Sequence, residues 1–196
     1  NTAYLSGPTI PDSFYWFNEP PEVVFDEGLH IGTRGNTDFW QRTHYGFQRD
    51  DGHCLLTRIT GDFQLVCHVA FTPCSQYDQC GLMVRVDESH WIKVSTEYEN
   101  PAISRLGSVV TNGGYSDWAT QDVPTAITER WYRVTREGHD YSMAHSDNGR
   151  DWKQMRIAHL HGEADTVAAG LYACSPKGDG FHCHFRSLSV ETKNVG

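Results

Sequence analysis

Apolar residues recur at every second position over long stretches of the chain. In residues 63–71 the apolar set is Phe63, Leu65, Cys67, Val69 and Phe71. In 82–86 it is Leu82, Val84 and Val86, and in 92–98 it is Ile92, Val94, Thr96 and Tyr98. A period of two puts alternate side chains on opposite faces of a strand, so each set is predicted to face a core. Near the C-terminus Phe181, Cys183 and Phe185 share one parity while Leu188 and Val190 take the other. A slip of one residue is what a β-bulge produces, which predicts a bulge at 186–188. Turn signals such as Glu19-Pro20-Pro21, Asp50-Asp51-Gly52, Asn100-Pro101 and Lys177-Gly178-Asp179-Gly180 recur about every ten residues, the spacing of a sandwich or barrel of short strands. Asn148-Gly149 predicts a two-residue type I′ hairpin. No stretch shows a clean helical period, so helices are expected to be few and short.

The segment YDQCGLMVRVDESHWIKVSTEYEN, residues 77–100, reads as two such strands joined by a three-residue turn. Facing the apolar sets across the pair places Val86 opposite Ile92, Val84 opposite Val94 and Leu82 opposite Thr96. The other face then pairs Asp87 with Trp91, Arg85 with Lys93, Met83 with Ser95 and Gly81 with Glu97. Two opposed cations with Cβ atoms about 5 Å apart destabilise a sheet unless an acid lies between them. That acid is either internal, with Asp87 beside Arg85 and Arg105 brought near Glu97, or belongs to a ligand. In the second case the face is concave, Arg85, Lys93 and Glu97 bond the ligand, and Trp91 offers a flat apolar surface. Further polar and aromatic candidates are Trp40, His44, Asp78, Gln79, Asp117, Trp118 and Arg133.

Charge narrows the partners. The 196 residues carry a formal net charge of -9, which argues against nucleic acid or an anionic membrane, since both reward positive charge. The apolar run Leu65–Phe71 falls far short of the ~20 residues of a membrane span, and residues 1–13 lack the order of a signal peptide. The length fits one domain, 1–196, with residues 1–12 as a strap or tail. The 6 cysteines show no Cys-x-x-Cys spacing, and no Asn-x-Ser/Thr site is present. They are read mostly as free thiols in a reducing compartment, hence a cytoplasmic protein with no structural metal.

Catalytic signals are thin. Glu97 and Glu99 lie roughly 7 Å apart along one strand and point the same way, a spacing a glycosidase permits. The Glu-x-Asp-x-x-Glu pattern of laminarinase-like jelly rolls is absent. Ser116 and Cys174 have no neighbouring histidine and no Gly-x-Ser-x-Gly elbow. His182 with His184, and His159 with His161, have ligand-like spacing but no third partner in sequence. The 175–180 loop opens no helix and so is not a phosphate loop. No cofactor is expected.

Five segments carry more than pattern: TDFWQRTHYGF (37–47), residues 77–100, SVVTNGGYSDWA (108–119), RWYRVTREG (130–138) and GLYACSP (170–176). Together they resemble the signatures of the concanavalin A-like domain family of the regulation-of-enolase proteins, in order, from about residue 14 to 191. The resemblance implies an all-β jelly-roll sandwich of two antiparallel sheets and a regulatory link to a glycolytic enzyme. It marks Trp40, His44, Asp78, Gln79, Arg85, Trp91, Lys93, Glu97 and Trp118 as family-pattern residues without giving them a role. The expected function is a non-catalytic binding protein with a polar, saccharide-like ligand on the concave sheet. The alternatives are a regulator that contacts a glycolytic enzyme directly, and a glycosidase using Glu97.

Overall fold

The computed structural model describes residues 9–193 and the backbone of residues 2–4; residues 1 and 5–8 of the expected strap lie outside the described residues. The strands in chain order begin with β1 (Thr2–Tyr4), β2 (Phe14–Phe17), β3 (Glu22–Phe25), β4 (Leu29–Gly32), β5 (Phe39–Gln41) and β6 (Gln48–Asp50). They continue with β7 (His53–Thr60), β8 (Phe63–Thr72), β9 (Gln79–Asp87), β10 (His90–Tyr98), β11 (Ile103–Asn112) and β12 (Tyr115–Pro124). The last are β13 (Glu129–Glu137), β14 (Asp140–Ser146), β15 (Lys153–His159), β16 (Thr166–Cys174) and β17 (His182–Thr192). Among the described residues there is no helix, and so none long and apolar enough to cross a membrane.

Two antiparallel sheets pack face to face as a jelly-roll sandwich. One runs β15-β14-β13-β8-β17-β4-β3, with β1 also on β17; the other runs β12-β11-β10-β9-β16-β7-β2. The alternating sets meet between them: Phe63, Leu65, Cys67 and Val69 from β8 and Leu82, Val84, Ile92 and Val94 from β9 and β10 are all fully buried. Removing such side chains from water contributes about 1.5–3 kcal/mol each, which is why the period of two decides the faces. Thr96 reaches across this interior to the Tyr132 hydroxyl at 2.6 Å. The expected C-terminal bulge is present. β17 pairs Phe185 with Val69 but Ser187 with His68, so Arg186 is the extra residue and Leu188 returns to the core.

The register of the β9–β10 hairpin differs from the expectation. The turn has two residues, Glu88 and Ser89, because Asp87 closes it by accepting from Ser89 N at 2.8 Å and contacting His90 Nδ1 at 2.9 Å. His90 pairs with Asp87, and a bulge then brings Trp91 opposite Arg85, Ile92 opposite Val84 and Lys93 opposite Met83. The pairing is therefore two residues away from the predicted one. Alternation fixes parity but not register, and a shift of two leaves every face unchanged. Arg85 and Lys93 do not oppose each other, although Glu97 does lie opposite Arg105. Asn148-Gly149 forms no two-residue hairpin. The β14–β15 connection spans 147–152, and Asn148 Oδ1 accepts from Arg150 N and Asp151 N, an Asx turn that only Gly149 completes with positive φ.

Candidate functional site

The outer face of the seven-stranded sheet, which carries Arg85, Lys93, Glu97 and Trp91, is covered by protein. A second apolar cluster of Phe39, Trp40, Cys54, Leu56, Met83, Trp91, Val109, Tyr172 and Cys174 covers it. The small β5–β6 sheet forms its roof, with Phe39 edge-on to Trp91 at 6.1 Å and to Tyr172 at 6.2 Å between ring centres. Polar ties fasten the roof at each end. Gln41 N donates to Ser116 Oγ at 2.9 Å, and Arg42 Nη1 donates to Gly114 O at 3.0 Å. On the other side Arg85 grips Asp50 through two bonds of 2.7 Å, and Lys93 Nζ donates to Phe39 O at 2.8 Å. The acids required by the two cations thus come from the segment 38–50, not from Asp87.

Beside this roof lies a cavity of about 380 Å³, lined by Asp38, Trp40, Tyr45, Phe47, Arg49, Tyr77, Lys93, Glu97, Val109, Trp118, Pro176 and Lys177. Its walls are aromatic. Trp40 meets Tyr45 at 5.6 Å and Trp118 at 6.3 Å, and Trp118 meets Tyr77 at 6.4 Å, all edge to face. Tyr77 holds a left-handed backbone, φ 72°, an uncommon state for a bulky residue that the Tyr77 N to Tyr98 O bond of 2.6 Å maintains.

The polar groups sit at the base. Burial depresses the Lys93 pKa, but the charges of Asp38, 3.6 Å away, and of Glu97 more than offset it, so the ammonium stays cationic. Glu97 is pushed up to about 7, chiefly by burial; Lys93 and the hydrogen bond from Gln79 oppose the rise, and Asp38 and Glu99 add to it. Gln79 is fixed from both sides, since its Nε2 donates to Glu97 Oε1 at 2.5 Å and to Tyr77 O at 2.9 Å while its Oε1 accepts from Tyr172 OH at 2.9 Å. Asp78 is buried and accepts from Cys74 N at 3.0 Å, Ser75 N at 2.9 Å and Ser175 Oγ at 2.5 Å, which joins the loops carrying Tyr77 and Lys177.

Of the nine family-pattern residues, Trp40, Lys93, Glu97 and Trp118 line the cavity and Asp78 and Gln79 support it. Trp91 is fully buried beneath Phe39 and offers no stacking face, with its Nε1 donating to Glu88 O. Arg85 is turned away, over the Phe17 ring at 4.4 Å. His44 is exposed at the hairpin tip beside Tyr45. Asp117 is exposed and pairs with Arg156, and Arg133 lies on the other sheet over Trp152. Sequence reasoning missed Asp38, Tyr45, Phe47, Arg49, Tyr77 and Lys177. Asp38, Tyr45, Phe47 and Tyr77 lie inside segments already singled out, and a loop gives no periodicity from which to read orientation. Elsewhere, His30 stacks with His184 at 3.8 Å and His182 at 5.2 Å, but no group of three metal-ligating side chains occurs among the described residues. All six cysteines are free thiols, five of them buried.

Fold and site together define a concanavalin A-like jelly-roll sandwich with a roofed, aromatic-walled cavity on one sheet. Residues 16–193 match the family described as protein of unknown function, DUF1349, and the chain belongs to that family. It is 35% identical over 176 residues to regulation of enolase protein 1 of Saccharomyces cerevisiae, covering 89% of this chain and 87% of that protein. A crystal structure of a functionally unknown protein from Saccharomyces cerevisiae superposes with a TM-score of 0.81 at 32% identity, over 94% of this chain and 98% of the other. The GH43 protein BlXynB of Bacillus licheniformis shares the fold at a TM-score of 0.77 and 11% identity, over 97% of this chain and 39% of its own.

Proposed function

We propose that this chain is a non-catalytic binding protein that takes a polar, saccharide-like ligand into the cavity and thereby serves the regulation of carbohydrate metabolism. The observation that carries the reading is the junction of aromatic walls with a buried ammonium and carboxyl, Lys93 and Glu97, at the base of one cavity. Pyranose rings present apolar C–H faces and hydroxyl edges, and ligand cavities of this size combine apolar lining with a few placed polar groups. The name of the yeast relative supplies the metabolic context and a glycolytic enzyme as partner class. Residues 1–196 are taken as one domain, and the six free thiols fit a cytoplasmic, reducing setting.

Two other readings each have one observation in favour. Tyr45 and Phe47 stand exposed at the hairpin tip, as a direct contact to an enzyme would require. The raised Glu97 pKa beside Asp38 is what a glycosidase acid would need. A thermal-shift screen with mono- and disaccharides separates the three. A stabilisation that is lost in Trp118→Ala supports binding. Hydrolysis of aryl glycosides that is lost in Glu97→Gln would replace it with catalysis. No shift with any sugar, together with enolase capture that needs Tyr45 and Phe47, would replace it with a protein interface.

A further inference from the structure

The charges around the cavity are balanced before any ligand arrives. Lys93 is the buried cation, and it faces Asp38 at 3.6 Å with Glu97 on the same strand face. At the mouth Arg49 is already held by Asp51 at 2.8 Å. Lys177 is exposed, donates to Gln76 Oε1 at 3.0 Å and sits over the Tyr77 ring at 5.0 Å, where solvent screens its charge. An anion entering the base would gain Lys93 but meet two carboxyl groups, in surroundings where like charges interact strongly. The net charge of -9 opposes its approach as well.

Hydrogen-bond chemistry points the same way. Lys93 can only donate; the Asp38 carboxylate can only accept, and so can Glu97 once it is ionised, above about pH 7. A hydroxyl does both, so one sugar edge can accept from Lys93 and donate to Glu97 or Asp38. A phosphate or uronate group matches the ammonium and has no hydrogen to offer the ionised carboxylates. We propose that the cavity selects uncharged saccharides and rejects their phosphorylated and carboxylated counterparts. This deepens the binding reading above and rests on it.

The test is calorimetric titration of the wild-type protein at pH 8, where Glu97 is ionised, with D-xylose, D-glucose, D-mannose and D-galactose, and with glucose 6-phosphate, mannose 6-phosphate, glucuronate and galacturonate. A neutral sugar is expected to bind at least about tenfold more tightly than its phosphate or uronate, an effect that a fraction of one close like-charge contact supplies. In Glu97→Gln, which keeps the shape and removes the charge, the ratio should narrow. If an anionic sugar binds as tightly as its neutral parent and loses that binding in Trp118→Ala, charge selection is overturned while the saccharide reading stands. If no sugar binds the wild type at about 10 mM, both are overturned.

Discussion

Glu97 is a buried acid whose charge the fold tolerates at a cost, and Glu97→Gln measures that cost. Burial raises its pKa from 4.5 to about 7. At 1.36 kcal/mol per pH unit, a difference of that size between the folded and unfolded chain corresponds to about 3 kcal/mol. The folded state holds the proton more tightly, so the stability contributed by this group is complete below pH 4.5 and is lost as pH rises through about 7. At pH 8 the wild type should bear most of the ~3 kcal/mol penalty, and at pH 5 less than about 1 kcal/mol. The glutamine carries no charge in this range and can still accept from Gln79. Any fixed cost of the substitution is the same at every pH and cancels in the comparison. Urea unfolding of both proteins from pH 5 to pH 8 therefore should show the variant gaining about 2–3 kcal/mol relative to the wild type as pH rises, equivalent to several degrees in Tm for a chain of this size. A difference that stays flat across that range would mean Glu97 titrates normally, and the account of the buried base would be wrong.

Other outcomes follow from named contacts. Arg85→Ala, expected from sequence to weaken ligand binding, should instead leave affinity unchanged and cost about 2 kcal/mol in stability; a double-mutant cycle with Asp50→Ala should recover most of that as coupling. Asp78→Ala strips Cys74 N, Cys74 Sγ, Ser75 N and Ser175 Oγ of their acceptor and should cost about 2–4 kcal/mol by chemical denaturation, with greater protease sensitivity near Cys74 and Ser175. Gly81→Ala would drive a Cβ into the Val94 carbonyl oxygen on the paired strand, so loss of soluble expression is expected, and a variant with wild-type Tm would contradict the packing of β9 on β10. Lys93→Met leaves Asp38 and Glu97 without a counter-charge, and its destabilisation, about 3–5 kcal/mol, should shrink at low pH as Glu97 takes up its proton.

The sandwich was legible because burial imposes the period of two: the β8 set and the Arg186 bulge both follow from which side chains must leave water. The β9–β10 register was not, because moving the pairing by two residues costs no burial and was decided by Asp87 closing the turn. The site was legible as a face and not as a place. Lys93, Glu97 and Trp118 share a strand face with the cavity, yet Trp91 and Arg85 share it too. What separates them is the β5–β6 roof, which Phe39 seats over Trp91 and Asp50 anchors to Arg85. That roof depends on contacts between residues dozens of positions apart, and left-handed residues such as Arg42 and His44 shape its tip. Neither leaves a periodic trace.

A saccharide held in the cavity over Lys93 and Glu97 would be visible in a crystal. Crystals of the wild-type protein soaked in the neutral sugar that gives the largest thermal shift would show whether the sugar lies there. A sugar ring is expected against Trp118 with a hydroxyl within hydrogen-bond reach of Lys93 Nζ or of Glu97. A sugar bound elsewhere on the molecule, with this cavity filled by solvent alone, would contradict it.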